Sequence, residues 1–178
     1  MRKLLKMKKV LINIIILSSV FSMDTVKNID IDKFMGKWYV ISNIPNFVEK
    51  GCENAYDIYT LTPDGTIDVF YYAIKNGEEF TIKQNGEIID KIHNSTWEMR
   101  FTKPYIPFYR APYKVIVLDD DYNYMVVGYP GNTYGWIMAR SASMEAKIFE
   151  KIMTSLEDDF GYDRDNFKII KHSSKTKN

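Results

Sequence analysis

The sequence predicts an all-β protein: eight antiparallel strands closing into an up-and-down barrel, with one α-helix packed outside it near the C-terminus. Three observations carry this. Apolar and polar residues alternate with period two over most of residues 36–140, the pattern of strands with one buried face. Turn signals such as Thr62-Pro63-Asp64-Gly65 and Asn76-Gly77 divide that region at near-regular intervals. Helical periodicity appears as a long run only after Arg140. Aromatic residues make up 15% of the chain, with 13 Tyr and 10 Phe, and both types favour strands.

The elements follow in order. Asp30 is the expected N-cap of a short helical turn over Ile31-Asp32-Lys33-Phe34-Met35. Gly36-Lys37-Trp38-Tyr39-Val40-Ile41 is the first strand, and residues 44–51 form a loop long enough to be functional. Residues 55–61 are the second strand. Thr62-Pro63-Asp64-Gly65 then turns the chain, because Pro presets φ and Gly admits the left-handed position. Residues 66–73 are the third strand, and Asn76-Gly77 is a two-residue hairpin turn. The fourth strand covers 80–83 and can run through Asn85-Gly86 to 89. The fifth covers 97–101, a Pro-rich loop follows through Pro104, Pro107 and Pro112, and the sixth covers 113–118. The seventh covers 124–129 and the eighth 134–140. Strands in succession without intervening helices make a meander, and eight can close and remove their edges.

Beyond Arg140, Ser141-Ala142-Ser143 is the expected cap of an amphipathic helix. Met144, Ile148, Phe149, Ile152 and Leu156 form its apolar stripe, and Glu145, Lys147, Glu150 and Lys151 its polar side. Residues 167–170 are a short last strand, and 173–178 a frayed tail. One domain, residues 23–172, holds all of this.

Residues 1–22 read as a secretory signal. Arg2, Lys3, Lys6, Lys8 and Lys9 precede an apolar run over 10–21, which is shorter than a membrane span needs. Without that segment the chain has 19 basic and 23 acidic side chains, and this balance argues against nucleic-acid binding. The single cysteine, Cys52, excludes an intrachain disulfide. No cysteine follows the apolar run as an acylation site, so the expected product is not lipid-anchored. It is periplasmic or extracellular if bacterial, and a monomer or weak homodimer; peripheral membrane association stays open.

Catalytic and metal sites are not expected. His93 falls in a turn and His172 in the tail, so no base stands beside a nucleophile. Cys52 has no basic cluster to lower its pKa. Asp119-Asp120-Asp121 lacks the alternating spacing of calcium loops.

Phe34-Met35-Gly36-Lys37-Trp38-Tyr39, Asp119-Asp120-Asp121-Tyr122 with Tyr124-Met125-Val126-Val127-Gly128, and Tyr134-Gly135-Trp136-Ile137-Met138-Ala139-Arg140 stand in sequence order. They resemble the three signatures of the lipocalins, in particular the bacterial outer-membrane type. Glu49-Lys50-Gly51-Cys52-Glu53 and the Pro-rich loop also fit that branch. The resemblance covers residues 31–170 and implies a calyx whose base is closed by Gly36, Trp38 and Arg140. Arg140 would stack on the Trp38 indole and donate to carbonyls of the N-terminal turn.

The resemblance also implies a small hydrophobic ligand held in the barrel, a fatty acid, lysophospholipid or similar lipid, with no cofactor and no catalysis. Strand parity from Trp38 and Arg140 assigns the lining: Tyr59, Val69, Tyr71, Trp97, Met99, Tyr113, Val115, Val126, Gly128, Trp136 and Met138. Parity in the second strand, with Asp57 and Ala55, stays open, as does a barrel filled by its own side chains. An inward Asp57 would disfavour an anionic head group. Two other functions remain: a lipid-modifying, isomerase-like enzyme using Cys52 or Asp57, and a protein-interaction module whose anchors are Phe47, Tyr105, Ile106 and Phe108 in the open-end loops.

Overall fold

A computed structural model describes residues 23–173. The signal segment expected at 1–22 and the tail at 174–178 lie outside the described residues. The chain opens with a short helix, α1 (Ile31–Phe34). Eight strands follow: β1 (Gly36–Ile44), β2 (Cys52–Leu61), β3 (Ile67–Lys75), β4 (Glu78–Ile88), β5 (Thr96–Lys103), β6 (Ala111–Leu118), β7 (Tyr124–Gly128) and β8 (Gly135–Ala139). Helix α2 (Ala146–Asp158) and strand β9 (Lys168–Ile169) complete it.

Each strand pairs antiparallel with the next, and β1 pairs with both β8 and β2, so the sheet closes. β1 meets β2 only over Gly36 to Tyr39. Where β2 peels away, β9 pairs with Ser42 and Asn43. The Asn54 N–H donates to the Lys171 carbonyl, and the Asn54 side chain accepts from the Ser173 N–H, so the chain past β9 covers the remaining edge. The Asn76-Gly77 turn has both residues at positive φ, 54° and 81°, as a tight hairpin turn requires.

Bulges set the side-chain faces. In β2 the register shifts between Glu53 and Tyr56, where Asn54 has φ 55°, and both Cys52 and Ala55 join the interior. In β6 the extra residue is Ile116: Val115 pairs with Val127, Val117 with Val126. Val115 stays inside, while Ile116 and Val117 pack outward. Unbroken alternation from Val115 would turn Val117 inward; the inserted residue turns the strand over instead.

Two cores result. The inner one fills the lower barrel around Phe34, Trp38, Tyr59 and Trp97, each at most 2% exposed. Phe34 touches Trp38, Tyr59 and Trp97 at centroid separations of 5.5, 5.5 and 5.1 Å. The outer core lies between the barrel wall and α2: Ile152, Met153 and Leu156 meet Ile41, Val126, Ile137 and Ala139. The helix packs outside the barrel as its periodicity predicts. Its start differs from expectation: Glu145, not the serine triplet, is the N-cap, and its side chain makes no capping bond. Just past the helix, Gly161 takes φ 71° and the Tyr162 N–H reaches back to the Leu156 carbonyl.

Two lining assignments are corrected. Val126 and Gly128 face the outer core. Directly opposed residues of an antiparallel pair share a face. Met125 opposes Met138 and Val127 opposes Trp136, so these face in; Val126 opposes Ile137 and Gly128 opposes Gly135, so these face out. A Cβ on Gly128 would meet Ile116 and Met23, and one on Gly135 would lie 3.1 Å from the Phe167 ring. Gly135 lets the C-terminal segment lie close to the wall, Gly128 leaves room for Met23 and Ile116, and neither contributes to the cup.

Candidate functional site: the cup and its buried carboxylates

One end of the barrel is sealed. The Arg140 guanidinium carbon sits 3.8 Å from the Trp38 ring centroid. Its Nη1 donates to the Lys37 carbonyl at 2.9 Å, its Nη2 to the Lys33 and Phe34 carbonyls at 2.6 and 3.2 Å, and its Nε to the Tyr122 carbonyl at 3.3 Å. Gly36, φ 94°, leaves room beside this group: a Cβ there would lie 3.4 Å from Nη1. Gly36, Trp38 and Arg140 thus stand where the seal needs them.

The other end contains a cavity of about 400 Å³, within the range of small-molecule sites. Of the residues expected to line it, Tyr59, Val69, Tyr71, Met99, Tyr113 and Trp136 do so. Trp97, Val115 and Met138 face inward but lie in the packed floor, at most 1% exposed, and do not border the cavity. Trp97 stacks on Tyr113 at 4.7 Å and 7°, so it supports the lining from below. Phe80, Ile82 and Phe101 add apolar wall from β4 and β5. The mouth is framed by residues 46–49 and by the Pro-rich loop, which contains a cis Lys103–Pro104 bond. Phe47, Tyr105, Ile106 and Phe108 are 88, 77, 41 and 100% exposed on those loops.

The second-strand parity resolves inward. Asp57, opposite Trp38, borders the cavity. A hydrogen-bond chain ends on it: the Tyr113 hydroxyl donates to the Tyr59 hydroxyl at 2.9 Å, and that to Asp57 Oδ2 at 3.2 Å. Burial, then the nearby Glu49 charge, pushes the Asp57 carboxyl up to about 8, against the lowering effect of the Tyr59 bond. Burial also holds Tyr59 and Tyr113 far above the usual phenol range, so both stay neutral donors.

A second cavity carboxylate, Glu49, was not anticipated from the sequence. Asn46 organises its loop: Asn46 Oδ1 accepts from the Val48 and Glu49 N–H groups at 2.8 and 3.0 Å. This turns the Glu49 side chain inward, where it accepts from Asn46 Nδ2 at 2.7 Å, Asn43 Nδ2 at 3.3 Å and Trp136 Nε1 at 3.0 Å. It is 8% exposed, and burial raises its carboxyl to about 7 despite these donors. Asn46, three residues before Glu49, is the local sequence signal for an ordered turn here, since an Asn side chain can accept from the N–H groups two and three residues on. Asn43 is 2% exposed, and its Oδ1 has no donor among the described residues. The cavity lining holds no Lys, Arg or His among the described residues.

Cys52 is buried outside the cavity lining, and burial pushes its thiol up, away from nucleophilic character. His93 bonds to Asn28 and His172 to the Val40 carbonyl, both away from the cup. Asp119 accepts from the backbone and side chain of Asn123, closing a turn between β7 and its neighbour.

A closed eight-stranded barrel, plugged at one end by an indole–guanidinium stack and hollow at the other, is a calyx-type binding barrel. The family model for the lipocalin-like domain matches residues 29–172, and the chain belongs to the lipocalin family. It is 31% identical to temperature-induced lipocalin-1 of Arabidopsis thaliana over 146 residues, 79% of this chain and 78% of that protein. It is 27% identical to the outer membrane lipoprotein Blc of Citrobacter freundii, over 72% of this chain and 71% of that one. Among solved structures, insecticyanin from the tobacco hornworm Manduca sexta superposes with a TM-score of 0.67 at 18% identity, over 86% of each chain, and shares the fold. Lipocalins typically bind small hydrophobic ligands. No helix among the described residues is long and apolar enough to cross a membrane.

Proposed function

We propose that this chain carries or stores a single-chain lipid in the cup without turning it over. The observation that carries the reading is the unfilled 400 Å³ cavity with aromatic and aliphatic walls above a packed floor. Tyr59, Val69, Tyr71, Met99, Tyr113 and Trp136 are its contact residues. The non-catalytic reading draws support from the raised Cys52 thiol and from the position of both histidines outside the cup. Delivery to the secretory pathway is our reading of the basic and apolar N-terminal segment.

Titration of Trp fluorescence with straight-chain alcohols of increasing length tests carriage, because Trp136 borders the cavity. Each added methylene should tighten binding about fourfold until the cup is full, from about 0.8 kcal/mol per buried methylene. A response that is absent, or independent of length, rejects the reading.

A further inference from the structure

Resting on that reading, we propose that the ligand's polar end is a cation: the cup takes a single-chain amphiphile with a protonated amine head, held between Glu49 and Asp57. Both carboxyls border the cavity, and the lining supplies no basic side chain among the described residues. A carboxylate or phosphate head would bring a third acidic group into a partly dry site with nothing to neutralise it. An ammonium group brings three donors and a compensating charge.

Acceptors for those donors are in place. Asp57 uses Oδ2 to accept from Tyr59, and Oδ1 accepts nothing from the described residues. Asn43, which donates to Glu49 from behind, does not itself border the cavity. The Tyr59 hydroxyl donates to Asp57 and is itself backed by the Tyr113 hydroxyl, so Asp57 is supported as an anion when a cation faces it. Burial raises both carboxyls, and a positive charge facing them would favour their anionic forms.

Dodecylamine, dodecanol and dodecanoate share one chain and differ in head group. Each is titrated into the whole mature protein below its micelle concentration at pH 7.5, with Trp fluorescence as the readout. The amine should bind about tenfold or more tighter than the alcohol, and the carboxylate weaker than both. In Asp57→Asn and Glu49→Gln variants the amine's advantage over the alcohol should collapse toward unity, while saturable alcohol binding shows that the variant is folded. Equal binding of amine and alcohol, or tighter binding of dodecanoate, overturns the cation assignment and leaves lipid carriage standing. An amine advantage that survives both substitutions also overturns it. If none of the three chains binds, carriage itself fails and the head-group assignment fails with it.

Discussion

Arg140 and Trp38 share one acceptor. Trp38 Nε1 and Arg140 Nη2 both donate to the Phe34 carbonyl, at 2.8 and 3.2 Å, while the guanidinium carbon sits 3.8 Å from the indole centroid. The residue that ends α1 therefore ties the first and last strands of the barrel to the N-terminal turn. The signature arginine acts as a clamp on backbone carbonyls as much as a cation over a ring.

Arg140→Ala should destabilise the protein by on the order of 2–4 kcal/mol, since it removes the stack and leaves several carbonyls unpaired. Arg140→Lys should recover only part of the loss, because an ammonium cannot reach four carbonyls in one plane. Urea unfolding followed by near-ultraviolet circular dichroism measures both, and a lysine variant as stable as the parent contradicts the clamp.

Gly135→Ala should cost about 1–3 kcal/mol, because its Cβ would crowd Phe167 at 3.1 Å and Tyr162 at 3.3 Å. Ligand affinity should hold, since this face lies outside the cup. Lost binding with unchanged stability would place Gly135, and with it Gly128, on the wrong side of the wall.

Val69→Phe should weaken lipid binding at least several-fold with little effect on unfolding, since the added ring enters a void rather than a packed core. Val115→Phe should do the reverse, because Val115 is fully buried beneath the cavity. Paired binding and melting curves for the two variants separate lining from floor.

Stability of the ligand-free protein should fall as pH rises. Glu49 and Asp57 have folded pKa values of about 7 and about 8, above the ordinary 4.5 and 3.8. Folding therefore favours their protonated forms. The associated stability is fully present below about pH 4 and is lost as pH climbs through 7 to 8. Asp57→Asn removes one such group, so the variant should gain on the parent by on the order of 2 kcal/mol between pH 4 and 8, discounted for water at the mouth. A pH-independent difference in melting temperature contradicts it.

The strands, the closing stack and the outer helix were legible because each leaves a local mark. Trp38 and Arg140 sit in short motifs, and α2 repeats its apolar residues at helical spacing. The face of β7 was not legible: Met125, Val126, Val127 and Gly128 are all buried, so the strand shows no alternation from which to read parity. Its register against β8 decides the matter. The Ile116 bulge is likewise silent in sequence, because one extra apolar residue among Val115, Ile116 and Val117 changes no pattern. The face of Asp57 depends on a register the sequence does not carry, and the inward turn of Glu49 on a donor, Trp136, that lies 87 residues away.

By itself, then, the sequence determined a closed antiparallel barrel with an apolar interior and a plugged base, since period, turns and signatures are properties of neighbouring residues. Only the tertiary structure decided how much of that interior is hollow and that two acids face the hollow. Those depend on which distant side chains oppose one another once the sheet closes, and burial, not residue type, then sets the charge the cup presents.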